Sequence, residues 1–268
     1  MTKKKVAIIG TGVIGKTIAK ELKIHLQTHY ELVGMMKRTN EQIKELTTTF
    51  NTKMVTDFSD VLELKPDFIV EAASVDVVKE YGEMILEHGI HFIPLSVGAL
   101  ADTAFYDSLQ QKAQANHAVL YIPSGAIGGF DFMRKMTLAD PPEVEINTYK
   151  SQDSLTDAPF LKDKSFVMNE KEVVFDGTAK EAIKGFPQNI NVAVATGLAT
   201  VGPENVRTII HSIPGLEANV HEISIRNKEG TAAIRFAAQP SSNARTSSIT
   251  PWSVISLLKN IADPVRFF

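Results

Sequence analysis

Cysteine is absent from the 268-residue chain, which excludes disulfides, thiolate metal sites and any mechanism that passes through an enzyme-bound thioester or thiohemiacetal. Phosphorylating aldehyde dehydrogenases built on a cysteine nucleophile are excluded with it. Positive charge is not in excess: 28 Lys and Arg against 31 Asp and Glu leave a formal charge of -3, and no basic run offers a footing for nucleic acid or an anionic membrane. Long apolar runs are missing as well. After Met1-Thr2-Lys3-Lys4-Lys5 the apolar stretch is only Val6 to Ile9, too short for a signal sequence or a membrane span. The seven histidines are scattered, and although His25 and His29 are about one helical turn apart, no third ligand accompanies them, so no metal is expected. What remains is a cytoplasmic protein with small-molecule partners, not nucleic acid or membrane. Its 44% hydrophobic content is enough for a full core without metal or disulfide.

The first half alternates apolar strands with amphipathic helices. Val6 to Ile9, Glu31 to Met36, Asp67 to Ala72, His91 to Leu95 and Val119 to Ile122 read as strands; Ile14 to Leu26, Val77 to His88 and Thr103 to Asn116 read as helices. Strands spaced by helical crossovers imply a parallel sheet covered on both faces. Near Pro123 the pattern changes. A helix at Phe130 to Leu138 precedes alternating runs at Val144 to Tyr149, Val206 to Ile213, Val220 to Ile225 and Thr231 to Ala237, with another helix at Val192 to Thr200. The expected fold is α/β: a doubly wound parallel sheet over residues 1–125, then an α+β domain over 126–247 on a mixed, largely antiparallel sheet. A last helix within 248–268 is expected to return to the first domain. The polar stretches Ser151 to Lys164 and Gln239 to Thr246 are long enough for lids or hinges. An exposed face of the second sheet would suit a homodimer.

Directly after the first strand comes Gly10-Thr11-Gly12-Val13-Ile14-Gly15, the glycine spacing of a Rossmann-type dinucleotide loop. Gly10 serves the tight turn, Gly12 lets backbone approach a diphosphate, and Gly15 lets helix meet strand. Amides at the helix N-terminus then face the phosphates with the favourable end of the dipole. About 20 residues on, where NAD-preferring domains place an acid for the ribose hydroxyls, the chain has Lys37-Arg38-Thr39. Two cations and a hydroxyl suit a 2′-phosphate, so NADP is expected over NAD. Two small-residue turns, Glu71-Ala72-Ala73-Ser74 and Ser96-Val97-Gly98-Ala99, end predicted parallel strands, where ligands of open α/β sheets collect. Ala73, Ser74 and Ser96 are their candidate cofactor contacts. Ser124-Gly125-Ala126-Ile127-Gly128-Gly129 follows at the junction.

These stretches, together with Gly185-Phe186-Pro187-Gln188-Asn189-Ile190-Asn191-Val192-Ala193, Asn219-Val220-His221-Glu222-Ile223 and Asn243-Ala244-Arg245-Thr246-Ser247, resemble the L-aspartate dehydrogenase family over nearly the full length. The resemblance implies interconversion of L-aspartate with oxaloacetate and ammonia through iminoaspartate, using NAD or NADP. It also implies Ala126 and Asn191 as cofactor contacts and His221 as the acid/base. By residue chemistry alone, Asn191 could brace the nicotinamide carboxamide or cap the helix that follows. His221, sharing a strand face with Ile223 and Ile225, reads first as a hydrogen-bonded core histidine; its chemistry also suits a group titrating near neutrality that moves protons between water and a departing amine.

A dicarboxylate needs cations and hydroxyls, and Lys150, Arg245, Thr246 and Ser247 are the candidates, Arg245 for its forked grip. The chain departs from the family where Thr-Arg-Lys-Pro is expected and Thr148-Tyr149-Lys150-Ser151 stands, which is expected to cost the substrate site a cation. Two other readings compete. A dihydrodipicolinate-reductase-like imine reductase would need a His-His pair and a Lys-x-Asp-x-Pro-Ser-Gly loop, of which Thr156-Asp157-Ala158-Pro159 is a faint echo. A non-catalytic NADP-binding sensor would need an occluded or non-cationic pocket.

Overall fold

The structure, a computed structural model, describes residues 2–39, 41–156, 158–162, 170–187, 190–239 and 247–267. The chain divides into two compact units: Met1–Ala99, Thr103–Pro123 and Pro251–Phe268 make the first, Leu100–Asp102 and Ser124–Thr250 the second.

In the first unit β1 (Lys4–Ile9), α1 (Val13–His25), β2 (Tyr30–Met36), α2 (Ile43–Phe50), β3 (Lys53–Val55), α3 (Phe58–Glu63), β4 (Phe68–Glu71), α4 (Val75–Glu87), β5 (His91–Pro94) and α5 (Thr103–Ala115) follow one another. All strand pairs are parallel, in the order β3-β2-β1-β4-β5, so the chain winds outward from β1 in both directions. Val6 and Ile8 of β1, Val70 of β4 and Ile93 of β5 pack with Ile18 and Leu22 of α1. Each such side chain contributes about 1.5–3 kcal/mol on burial, and strands covered on both faces read as the continuous apolar runs seen in the sequence.

Nothing in the sequence pattern predicts an element between Met36 and Asp67. The three found there are eight, three and six residues long, too short to show a helical or strand period. The strand expected at Val119 to Ile122 is not one: a single parallel bridge joins Leu120 to Phe92. Phe92 N–H donates to Val119 O at 2.9 Å and Tyr121 N–H to Phe92 O at 2.8 Å; Pro123, with no N–H, ends the ladder.

The second unit contains α6 (Phe130–Ala139), β6 (Glu143–Ser151), β7 (Glu172–Thr178), α7 (Ala179–Gly185), α8 (Asn191–Ala199), β8 (Val206–Ile213), β9 (Asn219–Asn227) and β10 (Gly230–Ala238). Its sheet runs β10-β9-β6-β8-β7; β6 and β8 are parallel and the other neighbours antiparallel. Alternation is strict along β6. Val144, Ile146, Thr148 and Lys150 are buried on one face, while Glu145, Asn147 and Tyr149 are half-exposed on the other. On the buried side α8 packs against β8 and α6 against β9. The edge strand β7 and the helix α7 are not anticipated either: β7 holds only Val173, Val174 and Phe175 as an apolar run. Its final Thr178 forms a reciprocal capping box with Glu181 that starts α7, a Thr-x-x-Glu signal legible in principle.

The last helix, α9 (Thr250–Ala262), lies in the core of the first unit. Val254, Ile255 and Leu258 join Leu22, Leu26 and Tyr30 there, and Tyr30 Oη donates to Leu258 O at 2.8 Å.

Candidate active site

Three turns at the carboxyl edge of the parallel sheet are locked to one another. Gly10 has φ +112°, where L side chains are strained, and a Cβ on it would lie 2.4 Å from Ala72 O. A Cβ on Gly15 would lie 2.2 Å from Gly10 O. The loop after β1 therefore closes only with glycine at both places. Gly12 is different: a Cβ there would meet no atom within 4 Å, so the fold itself does not call for glycine, and the room it leaves faces outward from the chain. No side chain caps the start of α1 and no acid sits in its first turn, which leaves amides of Val13, Ile14 and Gly15 at the positive end of the helix dipole. These residues, with Thr11 beside them, fit a dinucleotide diphosphate.

Glu71, at the end of β4, is fully buried. Its carboxylate accepts from Ala73 N–H at 2.6 Å, Ser96 N–H at 2.9 Å and Ser96 Oγ at 2.9 Å. Burial pushes its pKa up, and the donors of Ser96, Ala73 and Ser74 oppose that rise. The turns after β4 and β5 are thereby tied to one buried group. Ser74 meanwhile caps α4, its Oγ accepting from Val77 N–H at 3.4 Å.

At the end of β2, Lys37 Nζ donates to Glu41 O at 2.9 Å, Thr39 is exposed, and Arg38 is ion-paired with Glu80 of α4. The pair uses Nη2 of the guanidinium, so a phosphate arriving at Arg38 would share it with a carboxylate already in place.

In the second unit the buried sheet face carries polar groups in two adjacent rows. His221 on β9 is paired in register with Thr148 on β6, which is paired with Ile210 on β8. His221 is 3% exposed, and its Nδ1 lies 3.1 Å from Thr148 Oγ1. Burial, with the Lys150 ammonium beside it, holds the imidazole down at about 3. It is therefore neutral throughout the physiological range rather than titrating near pH 7; the sequence could not show a cation two residues further along the neighbouring strand. Lys150 is also 3% exposed. Its Nζ donates to Asn219 Oδ1 at 3.4 Å, and burial lowers its pKa from the ordinary 10.5 to about 8.

Tyr149, where the family pattern has arginine, points to the opposite face. It stacks on His211 with ring centroids 4.4 Å apart, and its Oη donates to Glu222 Oε2 at 3.0 Å. Strand alternation puts positions 149 and 150 on opposite sides, so the departure removes no cation from the row that holds Lys150.

Of the remaining expected site residues, Ala126 lies half-buried in the turn formed with Gly125. Asn191 is the first residue of α8 and not its cap, a position Ile190 takes without a side-chain bond. Ser247 is buried, its carbonyl accepting from Thr250 N–H at 3.1 Å. Arg245 and Thr246, with Gln188, Asn189 and Asp157, lie outside the described residues. Sequence reading passed over Thr148, Asn219 and Ser212. The first two were within reach, each two places from a chosen residue and so on its face; Ser212 comes only from the β6–β8 register. Among the described residues no group of three or more His, Asp or Glu could hold a metal ion, and no helix is long and apolar enough to cross a membrane.

Comparison with known proteins gives a consistent result. Residues 131–261 match the family model described as aspartate dehydrogenase, C-terminal, and residues 10–123 match homoserine dehydrogenase, NAD binding domain. The chain is 32% identical over 266 residues to the L-aspartate dehydrogenase of Methanocaldococcus jannaschii, covering 98% of each chain. It is 34% identical over 262 residues to that of Methanospirillum hungatei, covering 97% of this chain and 98% of the relative. The crystal structure of aspartate dehydrogenase from Thermotoga maritima superposes with a TM-score of 0.75 at 29% identity over the whole of both chains.

Proposed function

The chain belongs to the L-aspartate dehydrogenase family, and on that premise we propose that it interconverts L-aspartate with oxaloacetate and ammonia through iminoaspartate, with His221 as acid/base. It is an NAD(P)-dependent amino-acid dehydrogenase. A bound nicotinamide coenzyme would supply the hydride acceptor for the substrate Cα–H, and the hydride donor in the reverse direction. The first-turn amides of Val13, Ile14 and Gly15 with the open backbone of Gly12 would hold its diphosphate. Ala73, Ser74 and Ser96 on the two tied turns, with Ala126 and Asn191, would line its remaining length. Lys37, Arg38 and Thr39 would meet a 2′-phosphate, which makes NADP the preferred coenzyme and NAD the second.

The observation that carries the reading is the placement of His221, Thr148 and Lys150 on one buried sheet face. Because His221 is neutral, one ring nitrogen is a proton acceptor from the outset. The tautomer assigned in this reading has Nδ1–H donating to Thr148 Oγ1, which makes Nε2 the acceptor: it takes the proton of the water that adds to the imine carbon and returns it to the nitrogen that departs as ammonia. A substrate carboxylate drawn to Lys150 offsets the charge that depresses the imidazole, so the base strengthens once substrate is in place. Ser247, Arg245 and Thr246 are the further substrate contacts of this reading.

The test is oxidation of NADPH with oxaloacetate plus ammonia. The parent protein should turn over, and His221→Ala should lose about a hundred- to ten-thousandfold in kcat while its Kd for NADPH stays put; near-normal kcat in that variant removes the assignment. The half-exposed outer face of the second sheet, with Tyr149, Ile209 and Ile213, is proposed as the contact of a homodimer acting in the cytoplasm. Sedimentation of the purified protein as a monomer at micromolar concentration would end the dimer.

A further inference from the structure

Two buried polar atoms on the inner face of the second sheet have no hydrogen-bond partner among the described residues: Ser212 Oγ and Asn219 Nδ2. Both side chains are at least nine-tenths buried, Ser212 at 0% exposure and Asn219 at 5%. Leaving such groups unmatched in the interior is destabilising, so a pair of them calls for an explanation. Their positions supply one. Ser212 on β8 is the register partner of Lys150 on β6, and Asn219 on β9 accepts from Lys150 Nζ through Oδ1. Three neighbouring strands thus set Ser212, Lys150 and Asn219 side by side, one step along the sheet from the row that carries His221.

The chemistry of the row is one-sided. Asn219 spends its carbonyl oxygen on the lysine, which leaves the amide nitrogen as donor; Ser212 has a hydroxyl to give; Lys150 has only donors. A group that enters must be an acceptor and gains most if it is anionic.

Resting on the dehydrogenase reading above, we propose that Ser212 and Asn219, with Lys150 between them, clamp one carboxylate of the substrate and exclude the corresponding amide. Aspartate presents acceptor oxygens to all three donors. Asparagine would turn an NH2 group against one of them, and a site with buried donors rejects a partner that cannot accept.

The test uses Ser212→Ala, Ser212→Thr and Asn219→Ala in the full chain, with aspartate kinetics and calorimetry of succinate, a dicarboxylate without the amino group. Succinate affinity and aspartate KM should each weaken about tenfold or more in the two alanine variants, with the loss carried by KM rather than kcat, and Ser212→Thr should recover most of it. Since Ser212 Oγ bonds nothing among the described residues, Ser212→Ala should keep or raise Tm. Unchanged succinate affinity and KM in both alanine variants overturn the clamp while leaving the reaction standing. A parent that binds succinate, loses it on Ser212→Ala and yet turns over no aspartate keeps the clamp and removes the reaction. Absence of both succinate binding and turnover in the parent overturns both.

Discussion

Glu71 in the first unit and Lys150 in the second are both shut away from solvent, yet their surroundings differ in kind. Around Glu71 the backbone and Ser96 converge with donors on both carboxylate oxygens. Around Lys150 the neighbours are Asn219 at 3.4 Å and a serine whose hydroxyl bonds nothing among the described residues. The first is a closed arrangement whose bonding capacity is spent on holding turns in place. The second is an open one, with bonding capacity left over. Under the proposed chemistry the saturated buried polar groups would shape the site and the unsaturated ones would meet the substrate.

Lys150→Met breaks the contrast most violently and with opposite signs. Loss of the ammonium should lower aspartate kcat/KM by roughly thirty- to five-thousandfold, from about 2–5 kcal/mol for an uncompensated charge. Yet the protein should become harder to unfold. Depression of the lysine from 10.5 to about 8 means that the folded state at neutral pH carries a penalty on the order of 3 kcal/mol. Below pH 8 the penalty is whole; between about 8 and 10.5 it fades, as the folded protein has already released the proton that the unfolded chain still binds. The stabilisation seen in urea should shrink over that window. A destabilised Lys150→Met at pH 7 would mean that the lysine is structural, like Glu71.

Glu71→Gln should do the reverse, costing about 1–3 kcal/mol in urea unfolding because an NH2 group is turned toward N–H donors. Ala73 and Ser96 would lose their shared anchor, so Kd for the coenzyme should rise as well. A stable variant would show that the buried carboxyl is protonated in the parent, and that its ties survive with a neutral group.

The smallest effect concerns Arg38. Releasing it with Glu80→Gln should tighten NADPH binding about threefold, within the range for a surface ion pair of about 0.2–1 kcal/mol, and leave NADH unmoved. Equal affinities for the two coenzymes in the parent, unaltered by the substitution, would sink the NADP preference.

Much of this was legible in the chain itself. Apolar runs gave β1, β4 and β5, and the alternation of Val144, Ile146, Thr148 and Lys150 against Glu145, Asn147 and Tyr149 gives the two faces of β6 without any coordinates. That parity puts Tyr149 on the face opposite Lys150, where its hydroxyl reaches Glu222. What stayed hidden depends on register between segments far apart in sequence. Thr148 and His221 are separated by 73 positions, and only their pairing reveals that a lysine adds to the burial that depresses the imidazole. Short elements escaped for another reason: β3 offers three residues, less than two full strand periods.

The threading of the nucleotide unit has a consequence for biogenesis. Its hydrophobic centre is completed by Val254, Ile255 and Leu258, and Tyr30 waits for a carbonyl 228 positions downstream. A ribosome delivers every strand of the second sheet before it delivers that helix. The segment 124–250 is thus offered the chance to collapse first, and the N-terminal sheet must hold an unfinished interior, with Leu22, Leu26 and Tyr30 uncovered, until residues 250–262 have been made.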